Sequence, residues 1–216
     1  MEKSYSSAER AEYLLTKTNC ALIVIDMQND YCHPDGACSA RGSDVSGADK
    51  IIAPMQKLIG ACKRRKIPVI FIQTEHTTET DSEAWLFRSG GTSSGVCRKG
   101  TWGTEFYGVH PDETDIVVNK HRYSAFIHTR LESVLHTLKI QTIITVGVST
   151  NICVESTARD GFMLDFNLIV VPECCASSSS AEAHNMALKN IDLRFGTVAP
   201  CDDVCSYIEK QIKDGN

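Results

Sequence analysis

An α/β fold, a three-layer α/β/α arrangement around a six-stranded, mainly parallel, doubly wound sheet, is what this sequence predicts, on three observations. Apolar, β-rich runs of five or six residues recur along the chain. Longer stretches of helical period separate them, and each run is apolar throughout, as a strand covered on both faces must be. The 216 residues suit one sizeable domain over 1–216 better than a string of small modules.

In chain order the strands are expected at 21–25, 67–72, 115–118, 142–146 and 167–171, with a short edge at 196–198. Helices are expected at 7–15, 48–65, 130–139, 152–164, 181–191 and 203–213. Thr129-Arg130-Leu131-Glu132 reads as a capping box, and Ser179 or Ser180 ahead of Glu182 as a similar start. The rhythm breaks twice, at 27–47 and 74–114, and each break follows the carboxyl end of a strand, where long loops usually hold substrate. The second is rich in Gly and Ser around 89–95 and carries Trp85 and Trp102. It is expected to fold as a lid or an intersubunit arm. Residues 1–19 form an N-terminal helix or arm.

Composition excludes several classes of function. The formal net charge is -5, so the chain lacks the basic excess on which nucleic-acid binding draws. The apolar runs are too short to span a bilayer. No secretory signal begins the sequence and no Asn-X-Ser/Thr acceptor occurs in it, which points to the cytoplasm. Ten cysteines are fewer than a disulfide scaffold of this length would carry, and they include no Cys-x-x-Cys pair. Most are expected to be reduced, small and buried.

In an open α/β sheet, ligands sit beyond the carboxyl ends of the strands. The polar residues there include Asp26, Lys120 and Cys153. A thiol attacks a carbonyl carbon as thiolate, and a helix N-terminus beside an ammonium is expected to lower its pKa. A carboxylate then shuttles the proton to the leaving nitrogen. Position alone leaves other readings open: Asp as a cap, Lys as a solvated charge, Cys as core.

The surrounding wording narrows the choice. Ile25-Asp26-Met27-Gln28-Asn29-Asp30-Tyr31, Asn119-Lys120-His121-Arg122-Tyr123-Ser124-Ala125-Phe126, and the run from Gly147-Val148-Ser149-Thr150-Asn151-Ile152-Cys153 to Gly161 resemble the isochorismatase-like cysteine hydrolases. That superfamily includes nicotinamidases, N-carbamoylsarcosine amidases, biuret hydrolases and ureidoacrylate amidohydrolases. The resemblance runs from about residue 20 to 200. It implies Asp26 as general base and acid, Lys120 as its partner, and Cys153 as nucleophile of an acyl-enzyme. It also implies an oxyanion hole from the backbone amides of Ser149 and Cys153, with a cis peptide at Val148–Ser149.

Metal-dependent nicotinamidases carry an Asp-x-His pair after the second strand, where this chain reads Gln73-Thr74-Glu75-His76. A lone His76 reads as a surface or lid residue, so no metal and no cofactor is expected. The resemblance favours a small ureido or carbamoyl amide as substrate, releasing ammonia or carbamate. A nicotinamidase-like or aliphatic amide hydrolase is the alternative, and a non-catalytic thiol or redox protein the second. Tyr31, Gln73, Trp102, Tyr123 and Asn151 are the candidates for the pocket wall, with aromatic faces for a planar group and amides and phenols for its polar edges. Arg98 and Arg122 could pair a substrate carboxylate. The resemblance further implies a homodimer or homotetramer, and Trp85, Phe87 and Trp102 would suit its interface.

Overall fold

The computed structural model describes residues 5–89 and 95–210. Its strands are β1 (Cys20–Ile25), β2 (Val69–Thr74), β3 (Ile116–Lys120), β4 (Thr142–Val148), β5 (Asn167–Ala176) and β6 (Thr197–Val198). They form one sheet in the order β3-β2-β1-β4-β5-β6, parallel at every junction. The helices are α1 (Ser7–Lys17), α2 (Asn29–Cys32), α3 (Ala37–Ala40), α4 (Gly47–Arg64), α5 (Glu83–Arg88), α6 (Leu131–Thr137), α7 (Glu155–Met163), α8 (Ala181–Arg194) and α9 (Cys201–Lys210). Helices α1, α4 and α9 pack together, and α7 packs on α8.

Central strands are buried from end to end, and those are the ones with unbroken apolar runs. Every residue of β1 and of β4 is buried, with Ile23, Ile25, Ile144 and Val146 fully so. Each such side chain contributes roughly 1.5–3 kcal/mol relative to leaving it in water. The chain winds outward from β1 through β2 to β3, then returns to lay β4 on the other side of β1. The exits of β1 and β4 therefore flank the point where the winding reverses, and a crevice opens there in folds of this kind. Gly147 makes the junction close. It sits at φ 121° beside Ile25, where a Cβ would run into the Ile25 carbonyl.

Several local expectations change. The Thr129 capping box does not form: Thr129 Oγ1 accepts from the Leu131 amide at 3.0 Å and donates to the Ala125 carbonyl at 2.6 Å. The hydroxyl is drawn into the preceding turn, and Glu132 caps nothing. Ser180 does cap α8, accepting from the Ala183 amide at 3.1 Å. A capping box the sequence reading passed over, Ser6 with Glu9, starts α1. The helix expected at 152–164 begins at Glu155, preceded by a π-helical turn over Thr150–Val154. Positions 211–213 of the expected last helix, and residues 90–94 of the Gly/Ser-rich stretch, lie outside the described residues.

Both breaks in the βα rhythm are folded against the strand exits. Gln28 bridges Phe106 and His76 bridges Arg98, while the Asn29 amide donates to the Glu105 carbonyl at 2.9 Å and the Tyr107 amide to that of Met27 at 2.8 Å. Asp30 fastens the two breaks together. Its buried carboxylate accepts the Cys97 amide at 2.6 Å and the Ala37 amide at 3.0 Å.

Candidate active site

Three strands deliver one polar residue each to the crevice. Asp26 follows β1 directly in a left-handed conformation, φ 53°, which Asp tolerates better than most residues and which is frequent at functional sites. Lys120 is the last residue of β3 and the register partner of Thr74 at the end of β2. Cys153 lies in the π-helical turn after β4.

The geometry joins them. Lys120 Nζ lies 2.8 Å from Asp26 Oδ2, and both side chains are 1 % exposed. The same ammonium donates to Thr74 Oγ1 at 2.8 Å, to the Arg122 carbonyl at 3.0 Å and to Cys153 Sγ at 3.6 Å. The Thr74 hydroxyl in turn donates a hydrogen bond to Asp26 Oδ1 at 2.8 Å. Asp26 Oδ2 thus faces the ammonium, and its carboxylate also acts on the Cys153 thiol.

Burial dominates the thiol. It pushes Cys153 up to about 12, against the pull of Lys120 and with the help of the Asp26 carboxylate, which favours the protonated form. The expectation of a lowered thiol pKa is thus overturned, because desolvation disfavours the anion more than one ammonium favours it. For Lys120, burial works against the charge, but the Asp26 carboxylate and the Cys153 sulfur outweigh it and hold the ammonium above its ordinary range. The resting site is an ion pair beside a neutral thiol.

The other expected residues divide. Burial, first of all, raises the Tyr31 phenol well above its ordinary value, and the Asp26 carboxylate adds to the shift. Ser149 closes β4 through a cis peptide with Val148, and its hydroxyl pairs with that of Ser178 at 2.8 Å. Asn151 is tied to the β5 exit, accepting from Ser177 at 2.7 Å. Gln73 donates to the Thr104 carbonyl at 2.8 Å, so its amide pins the 102–105 segment. Trp102 is 46 % exposed, its ring edge-on to His33. Tyr123 is equally open and stands beside Trp85. Arg98 is held by Asp81 at 2.7 Å.

The expectation of His76 as a surface residue is corrected: within the 74–114 excursion its side chain is buried, 2 % exposed. Its backbone is clamped to the returning segment, amide to the Cys97 carbonyl at 2.8 Å and carbonyl to the Lys99 amide at 3.1 Å. Thr74 was passed over as a site residue altogether. The available signal was its place at a strand end, level with Lys120. Among the described residues no group of three or more His, Cys, Asp or Glu side chains is arranged to hold a metal, and no helix is long and apolar enough to cross a membrane.

Known proteins resemble this chain in sequence and in fold. Residues 20–203 match the isochorismatase domain. A ureidoacrylate amidohydrolase RutB of Methylobacterium radiotolerans is 32% identical over 201 residues, 86% of this chain and 77% of that protein. Among solved structures, a cysteine hydrolase from Pseudomonas syringae pv. phaseolicola superposes with a TM-score of 0.81 at 24% identity, covering 98% of this chain and 100% of the other, a likeness of fold. N-carbamoylsarcosine amidase from Thermoplasma acidophilum superposes with a TM-score of 0.70 at 27% identity, covering 85% of this chain and 97% of that one. The chain belongs to the isochorismatase family.

Proposed function

We propose that this protein is a cysteine amidohydrolase that cleaves the C–N bond of a small ureido or carbamoyl compound. One observation carries the reading: Lys120 Nζ sits 2.8 Å from Asp26 Oδ2 and 3.6 Å from Cys153 Sγ in a buried cluster. The relatives support it, since one is named for ureidoacrylate and another for N-carbamoylsarcosine.

In this mechanism the thiol starts protonated. Asp26 Oδ2 takes its proton as sulfur bonds to the carbonyl carbon, so the thiolate never accumulates and Lys120 steadies it only as it forms. The amides of Ser149 and Cys153 receive the oxyanion. Asp26 then returns the proton to the departing nitrogen, leaving a thioester on Cys153. Water, deprotonated by Asp26, hydrolyses it and restores the thiol. When the substituted nitrogen of a ureido group leaves, the product of hydrolysis is carbamate, which breaks down to ammonia and carbon dioxide. When the terminal nitrogen leaves, ammonia is released at once. No metal or cofactor is required for any of these steps.

The setting follows from the same reading. The domain spans the chain, the excursion over 74–114 acts as a lid or intersubunit arm, and the protein assembles as a homodimer or homotetramer. Phe87, 86 % exposed, and Trp102 are apolar surface that such contacts would cover. All ten cysteines are free thiols, which suits a reducing, cytoplasmic compartment. Light scattering at micromolar concentration tests the assembly.

Ammonia release over a panel of ureidoacrylate, biuret, N-carbamoyl amino acids, nicotinamide and simple amides tests the chemistry. Ureido or carbamoyl compounds are expected to lead, with Cys153→Ser folded but inactive. Equal turnover by that variant would remove Cys153 as nucleophile, and release from nicotinamide alone would move the assignment to the alternative substrate class.

A further inference from the structure

Beside the Asp26–Lys120–Cys153 cluster lies a second group of polar atoms that the mechanism leaves unused. His76 is buried, yet its Nδ1 has no hydrogen-bond partner among the described residues. The indole nitrogen of Trp85 is buried and without a partner in the same way, and the two rings lie 5.2 Å apart, tilted by 34°. Buried nitrogens are costly to leave unpaired. Trp85 Nε1 can only donate. Burial, with the charge of Lys120 second, holds His76 down at about 4, so at neutral pH it is an uncharged imidazole with one N–H to offer.

A cation completes the group. The Arg122 guanidinium lies over the same indole, 5.1 Å from its centroid. Nη1 donates to the Thr80 carbonyl at 3.1 Å and the His121 carbonyl at 2.6 Å, and Nη2 reaches Ser82 at 3.4 Å. Of the three cations around His76, Lys120 is paired with Asp26 and Arg98 with Asp81. Arg122 has no carboxylate partner among the described residues, and its own carbonyl is hydrogen-bonded to Lys120. Tyr123, packed against Trp85 and 45 % exposed, marks the side open to solvent.

We propose that His76, Trp85 and Arg122 form a recognition subsite for a carboxylate on the substrate, one short linker from the carbonyl that Cys153 attacks. The Trp85 indole, the His76 imidazole in the tautomer with its proton on Nδ1, and the guanidinium offer what a planar anion with two acceptor oxygens needs. A neutral ligand of the same shape would leave the guanidinium uncompensated. The inference rests on the amidohydrolase reading and assigns the residues that would make this chain prefer a ureido or carbamoyl acid, the kind of compound for which both relatives are named, over its neutral ester or amide.

Binding separates this proposal from the activity. In the full-length Cys153→Ala protein, calorimetric titration with 3-ureidopropionate and with its methyl ester is expected to show the acid bound at least tenfold more tightly. Arg122→Gln should bring the two within about twofold, and Arg122→Lys should restore part of the preference. His76→Phe should weaken the acid more than the ester. Thermal melting checks that each variant is folded, and the acid-to-ester ratio in Cys153→Ala needs no change at the subsite itself. Equal affinity for acid and ester, or binding of neither, overturns the subsite, whereas ammonia release by the wild-type protein from either compound would leave the amidohydrolase reading standing. Conversely, preferred binding of the acid with no turnover of any panel member would overturn that reading and keep the anion site.

Discussion

Thr74 and Lys120 face one another across the β2–β3 ladder, and the Lys120 ammonium donates to the Thr74 hydroxyl over 2.8 Å while that hydroxyl donates onward to Asp26. A side chain of three heavy atoms thus fixes the direction of a buried ion pair. Thr74→Val keeps the shape and removes both hydrogen bonds. Leaving buried polar groups short of partners costs ~1–3 kcal/mol, to be read by urea denaturation. Asp26 would also lose its orientation, and kcat should fall by about tenfold or more. Unchanged stability and turnover would mean that Asp26 is held by Lys120 alone.

Asp26→Asn probes the base. The amide cannot take the Cys153 proton, and burial holds the thiol near 12, so it does not ionise on its own. Turnover should drop by roughly 10²–10⁴. The Lys120 charge would be left buried without its counter-ion, at ~3–5 kcal/mol. Equilibrium unfolding reads the second effect and single-turnover ammonia release the first, so a fold defect and a chemical defect are distinguished.

His76 makes stability depend on pH in a defined window. Burial lowers its pKa to about 4 from the 6.5 of an unfolded histidine. Between those two values the unfolded chain binds the extra proton, so stability from this residue is complete above about 6.5 and declines as pH falls toward 4. The whole effect is about 3 kcal/mol. On acidification from pH 7.5 to 4.5 the unfolding free energy of the wild-type protein should fall relative to that of His76→Phe. Parallel curves would show that His76 is exposed or paired in solution.

Gly147 is required by geometry. At φ 121° a side chain is strained, and a Cβ would meet the Ile25 carbonyl where β4 crowds β1. Gly147→Ala should destabilise by roughly 2 kcal/mol or more. It should also push the Ser149–Cys153 turn away from Asp26, lowering kcat/KM. A melting temperature within 1–2 °C of the wild type, which is about 0.5 kcal/mol, would show that the junction has slack.

The site divides into what local chemistry marks and what it does not. Asp26, Lys120 and Cys153 carry distinctive groups at strand exits, within motifs whose wording resembles one superfamily, and the structure brings their side chains together. Thr74 carries no such mark, because a threonine at a strand end is ordinary until its neighbour across the ladder is known. Gln73, Trp102 and Asn151 have the right chemistry for a pocket wall, yet Gln73 and Asn151 spend theirs on Thr104 and on Ser177, and Trp102 packs on His33. Side-chain type alone does not distinguish an amide that meets a ligand from one that pins a loop. The Thr129 box failed for a similar reason, its hydroxyl being captured by Ala125.

The sheet, its parallel winding and the three chemical groups at its rim were legible in the order of residues alone. Unbroken apolar runs of strand length, separated by amphipathic helical stretches, have few other ways to bury themselves, and the polar residues that end them fall at the sheet's edge. Packing in three dimensions set the ionisation of the thiol, the burial of His76 and the lack of a carboxylate partner for Arg122 among the described residues. Each is set by how much water and how many charges surround an atom. Those surroundings are assembled from segments distant in the chain: the returning 95–104 segment covers His76, and the strand exits together enclose Cys153. Electrostatic free energy depends on that three-dimensional neighbourhood, which no single stretch of residues contains.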